Sequence, residues 1–440
     1  MHRKTVAMAI VLVWVLSGAA ALWYFASSAP QVALQAAVPA ASDGPLAQTA
    51  ATPATGTPTS FDLEQPIVRR EDADPGLAHE PDALDETTAP KPKFTDSSPP
   101  AKTPAEPTDK LNVGADKKLE VPVGASYSGV HLGAGASLQL PAGEVTIRGD
   151  ITGAGAIAAS PDSNLVLDGD QVLEAGMQLG TAILRNGTKR LRATTSSHNR
   201  NTHAKQGQAN LVIEAGATLI IEQGGSWDSK DAYAYQVAGT LVIDGGQFNC
   251  TFANQSNEFN DCWLPGSQLV IHSGEFRGSG DHDFGGASIT IFDGRLLVDD
   301  DIWNSGDNLD IRGGLMRNST RGGMFALCGN VRMSGGKLQA FQGGDRGLRF
   351  ITDSFVVCTG GEVEIAGNDT SAGKSGIVLS GAPVLNKLTC TCSTRIHEDS
   401  PKTASLTLGD LSIAVGKRFV ATGFNVSAPW PGPEGGEYVP

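Results

Sequence analysis

The chain has 440 residues, a formal charge of −14, 54 glycines and only 18% charged residues. Glycine this frequent without a Gly-X-Y period excludes collagen and points to many turns, and the acidic balance argues against a nucleic-acid partner. Six cysteines in so long a chain do not make a disulfide scaffold.

Residues 1–4 form a short basic head and residues 5–26 are apolar throughout. At 1.5 Å per helical residue that run reaches about 33 Å, enough for a bilayer core. Trp23 and Tyr24 stand where an interfacial aromatic belt belongs. No Lys or Arg follows until Arg69, so the expectation is a transmembrane signal-anchor with its N-terminus cytoplasmic and the rest periplasmic, extracellular or lumenal. A cleaved signal peptide, cut near Ser27-Ser28-Ala29, is the alternative. Residues 27–110 are rich in Ala, Pro and Thr, then in Asp and Glu, without apolar periodicity. They read as a disordered acidic linker that holds a head away from the membrane.

From 111 to 426 one pattern recurs. Leu241 and Ile243 alternate with polar positions, Gly245-Gly246 makes a sharp bend, and Phe248 starts a second inward face. The same spacing returns, one residue longer, at Leu219/Ile221/Trp227, and unchanged at Leu269/Ile271/Phe276, Ile289/Ile291/Leu296, Leu309/Ile311/Met316, Val331/Met333/Leu338 and Val356/Cys358/Val363. Leu138/Leu140/Val145, Leu165/Leu167/Val172, Ile377/Leu379/Val384 and Leu406/Leu408/Ile413 read as further copies, with a degenerate one near Ile183. Most copies lie about 20–29 residues apart, the period of a solenoid. One such unit cannot bury its apolar face alone, whereas stacked units can. The fold class is therefore all-β: a single-stranded right-handed parallel β-helix solenoid of about 12 coils. The tail, 427–440, is too rich in Pro and Gly to add a coil. The coil period and inward columns resemble the right-handed parallel β-helix, pectin-lyase-like superfamily.

Two polar insertions interrupt the pattern. Residues 194–208 carry His198 and His203 without other ligands at a metal-binding spacing. Residues 249–265 are flanked by Cys250 and Cys262, for which a disulfide is expected in an exported protein. The remaining Cys read as small buried hydrophobes. Six Asn-X-Ser/Thr sequons start at Asn186, Asn249, Asn254, Asn318, Asn368 and Asn425.

Counting seven residues from Gly274, Gly294 and Gly314 aligns Asp281, Asp301 and Arg321 in one outward column. Asp283, Asp299 and Asp300 crowd the same face, His282 lies between two of the carboxylates, and Trp303, Tyr233 and Tyr235 have similar offsets. Aromatic rings beside paired carboxylates suit a glycan groove, with Tyr233, Tyr235, Trp303, Asp283 and Asp300 as ligand-binding candidates. Asp281, Asp301 and Arg321 are the catalytic candidates. The resemblance implies polysaccharide lyase or glycoside hydrolase chemistry here, and lyases of that fold pair Ca²⁺ with an Arg or Lys base. The enzymes' Gly-His-Gly element is absent, and Arg395-Ile396-His397 only echoes their Arg-Ile pair. Two other readings of the acidic face stay open: solvated turns whose Asp side chains bond local backbone N–H groups, and a structural Ca²⁺ held by Asp281, Asp299 and Asp301. Anchor, linker and rod without a catalytic signature favour a structural, adhesive or glycan-binding protein of the cell surface, with no cofactor beyond Ca²⁺; the alternative is an anchored polysaccharide-cleaving enzyme.

Overall fold

The structure is a computed structural model. It describes residues 109–198, 209–230, 235–251, 263–320, 323–343, 347–351, 354–367, 376–397, 400–429 and 435–440. The chain divides into two units, Met1–Thr95 and Asp96–Pro440; every described residue belongs to the second. The head, anchor and most of the linker expected from the sequence lie outside the described residues. Among the described residues no helix is long and apolar enough to cross a membrane.

The second unit is a parallel β-solenoid of about 13 turns, close to the 12 expected. A full coil has three strands. In the first coil these are Leu111–Val113, Lys118–Glu120 and Ser126–Tyr127, and each pairs in parallel with its counterpart in the next coil. The first and second faces form one sheet of 25 strands. They merge because Thr240–Thr251 and Ser267–Ser279 run unbroken around the corner between them. Gly245, with φ at 88°, turns that corner, and a Cβ on Gly246 would come within 2.6 Å of the Glu222 carbonyl. The bend therefore needs glycine twice, once for the backbone angle and once for space. The third face comes in three stacks, of six, five and three strands. Isolated bridges, Val237 to Trp263 and Ile377 to Ile396, lie where one stack gives way to the next.

The alternation fills the interior with like on like. On the first face Leu219, Leu241, Leu269, Ile289, Leu309 and Val331 stack in register, as do Ile221, Ile243, Ile271, Ile291, Ile311, Met333 and Cys358. On the second, Trp227, Phe248, Phe276, Leu296, Met316, Leu338 and Val363 follow one another. All of these are buried, and each contributes about 1.5–3 kcal/mol by leaving water. Outside, neighbouring coils are laced by charge pairs such as Arg190 and Arg192 with Glu222, and Lys337 with Glu364. Exposed pairs of this kind add at most about 1 kcal/mol each.

The register differs from expectation near both ends. Leu165 and Leu167 belong to the third face, with Ala182 and Leu184 beside them in register; Val166 and Ile183 alternate with these on the other side of the strands, where Val166 is nonetheless buried and Ile183 half-buried. The coils between Leu165 and Leu219 place Gln171 and Lys189 on the first-face inner column and Thr195 on the second. Lys189 has no exposed surface; its Nζ donates to the carbonyls of Arg185 and Asn186, and burial pulls its ammonium down to about 8. At the other end, Leu411 rather than Ile413 continues the Phe248 column. The tail also does more than expected, since Glu437–Val439 pairs in parallel with Arg418–Val420.

Candidate functional site

The three corners of the coil are unequal. From residue 111 to 350, the turns from first to second face and from third back to first are no longer than 114–117. The connection from second to third face is different. In the first four coils it is short as well, 121–125, 141–142, 160–162 and 180; from the fifth coil on it spans 198–210, 231–234, 252–262, 318–324, 343–347 and 368–376, with the short turns 280–281 and 299–301 between the third and fourth of these. The acidic residues sit in those two short turns.

There Asp281, Asp300 and Asp301 bring carboxylate oxygens within 4.8 Å of one another. Asp281 and Asp300 are half-buried and Asp301 is fully buried. The Asp301 Oδ1 accepts the Met324 N–H at 2.7 Å, while its carbonyl accepts the His282 N–H at 2.9 Å. Asp301 thus ties three successive coils together. Oxygen donors this close suit a hard cation such as Ca²⁺.

Asp281 and Asp301 do share a column, since His282 pairs with Ile302 in the next coil. The count from glycine fails one coil later. Ile302 pairs with Phe325, so Met324 takes the position above Asp301. The turn 318–324 is longer than 299–301, and Arg321 lies outside the described residues. Asp299 is exposed and pairs with Arg277 at 3.4 Å, so Asp300 replaces it as the third carboxylate. The crowding of Asp residues on this face does not tell Asp299 from Asp300; the strand Arg295–Val298 has ended and 299–301 is a corner. Asp283 is half-buried and its Oδ1 accepts the Gly285 N–H at 2.7 Å, an Asx-turn. Trp303 is the extra residue of a bulge between His282/Ile302 and Asp283/Asn304, and is half-buried.

Among the described residues, one of the expected groove aromatics lies elsewhere. Tyr235 points into the core, and Tyr233 lies outside the described residues. The Tyr235 hydroxyl accepts the Trp263 Nε1–H at 3.2 Å and lies 3.4 Å from His282 Nδ1. His282 is fully inside, stacked on Phe284 and edge-on to Phe276, and burial pulls its imidazole down to about 3. A neutral ring that accepts at Nδ1 carries its proton at Nε2, which faces the Cys250 sulfur at 3.9 Å. Gly278 makes this possible: a Cβ there would stand 1.9 Å from His282 Nε2.

The expected Cys250–Cys262 bridge is not seen. Cys250 follows Phe248 by two residues, faces inward and is a buried thiol directed at the Arg277 carbonyl; Cys262 lies outside the described residues. Cys358, Cys390 and Cys392 are buried thiols, and burial pushes the first two up to about 12, so neither is a nucleophile near neutral pH.

No protein-family model, curated protein or solved structure matches this chain.

Proposed function

We propose that the protein is a non-enzymatic recognition rod, tethered by its N-terminal segment outside the cytoplasm, that binds an extended glycan along the second-to-third-face corner. The observation that carries this reading is the confinement of long connections to that one corner over most of the stack. In repeat proteins insertions gather on the face that meets the ligand. Their composition agrees: Asn and Gly are the commonest residues, with Ser, Thr, Tyr233, Phe252 and Phe259 among the rest, a mixture that offers adaptable hydrogen bonds and rings for sugar faces. We assign the coil to right-handed β-helices of the pectin-lyase-like kind, supported by its three-strand coils and stacked inner columns. The test is a glycan array probed with the detergent-solubilised chain. Replacing 199–208 or 252–262 by a short Gly-Ser link should weaken binding at least tenfold without moving the melting temperature. Unchanged binding in both variants would remove the reading.

In the same reading Ca²⁺ bridges Asp281, Asp300 and Asp301. Millimolar Ca²⁺ should then raise the melting temperature of the wild type but not of Asp300→Asn. A wild type indifferent to both Ca²⁺ and chelator removes the ion.

The alternative is an anchored polysaccharide lyase or glycoside hydrolase, favoured by the close approach of the three carboxylates. Against it, Asp301 is fully buried and holds a backbone N–H. Cleavage of an acidic polysaccharide that is lost in the double variant Asp281→Asn/Asp300→Asn would replace recognition by catalysis.

A further inference from the structure

We propose that Asn318 decides whether this chain can fold in an N-glycosylating secretory pathway, and that Asn186 is the acceptor the folded coil accommodates. Four of the six sequons begin at described residues, and their asparagines occupy very different places. Asn318 has no exposed surface. Its Oδ1 accepts the Phe341 N–H at 2.7 Å and its Nδ2 donates to the Phe341 carbonyl at 3.3 Å. The side-chain amide does the work of a peptide group. The strand Leu315–Arg317 has stopped, its neighbour Lys337–Gln342 continues, and Asn318 pairs with the part left over.

Asn186 is the reverse case. It is exposed and forms the whole corner between the strands Thr181–Arg185 and Gly187–Leu191, with φ at 48°. Its Nδ2 makes one bond, to Asp168 Oδ1 at 3.1 Å, which the N–H that remains after glycosylation can keep. Asn249 is half-buried within a strand and donates to Asp228; Asn425 is exposed in the strand Asn425–Ser427.

Transfer happens on the unfolded chain. The amide nitrogen attacks the anomeric carbon of a lipid-diphosphate-linked oligosaccharide, an N–C bond forms, the C–O bond to diphosphate breaks, and the amide gives up one proton. The fold therefore cannot prevent modification of Asn318; the sugar prevents the fold, because a polar branch has no room in a sealed site. Neither asparagine's fate depends on what ligand the rod binds.

Thr320 supplies a clean test, because it is exposed. Thr320→Ala destroys the sequon and leaves the Asn318 amide in place, whereas Thr320→Ser keeps the sequon. The full chain is expressed behind a cleavable secretion signal in an N-glycosylating host. Site occupancy is then read by mass spectrometry in the protease-resistant fraction. Expected are sugar on Asn186, none on Asn318, and a several-fold gain in folded yield for Thr320→Ala but not for Thr320→Ser. Sugar on Asn318 in folded protein, no gain for Thr320→Ala, or a bare Asn186 would each overturn the proposal.

Discussion

His282 shows how much a single interior residue can set. Its ring is neutral inside the coil down to about pH 3, whereas an unfolded histidine takes up a proton near pH 6.5. Unfolding therefore binds a proton between these limits, and stability falls as the pH drops from about 6.5 towards 3. By pH 4 the loss is roughly 3 kcal/mol at 1.36 kcal/mol per unit. Urea midpoints at pH 4 and pH 7 should differ less in His282→Phe than in the wild type; equal differences would mean the ring is not buried neutral. Gly278 is the companion case. Gly278→Ala drives a methyl into the imidazole and should cost at least about 1–3 kcal/mol, the usual range for overpacking. A variant of wild-type stability would show that the ring sits elsewhere.

At the scale of the element, what matters is which side of a strand a residue takes. Phe276 lies between Phe248 and Leu296 on the inner column and touches Tyr235, Trp263 and Phe284. Phe276→Ala should cost about 3–5 kcal/mol, and Val270→Ala, six residues away on the outer side, well under 1 kcal/mol; denaturant unfolding of the two checks this. The inner columns of the middle coils were legible in the sequence because each bend there is punctuated by one or two glycines and both inward faces are apolar. The stretch from Gln171 to Thr195 was not, because Gln171, Lys189 and Thr195 stand in apolar columns. Lys189 is tolerated there by reaching the carbonyls of a one-residue corner. The carboxylate cluster was legible as crowding of Asp on one face. Its membership was not, because a count from glycine does not survive a corner of variable length.

For the molecule as a whole, each coil touches mainly its neighbours, so stability is a sum along one line rather than the property of a single centre. The aromatic cluster of Tyr235, Phe248, Trp263, Phe276 and Phe284 lies in the middle of that line, and among the described residues the first and last coils have a partner on one side only. Amide exchange should therefore be slowest around 241–291 and rise towards 111 and 439. Uniform protection throughout would show that the stack opens all at once.

The unequal corners give this rod a front and a back. For most of its length two ridges are trimmed close and the third carries nearly all the trimmings. Such a body can lay its two short-cornered sides along a wall or a neighbouring rod without engaging the corner that takes the insertions. Lengthening or rewriting one tuft leaves the interior stacking untouched, so the specificity of the front can drift while the shaft stays the same.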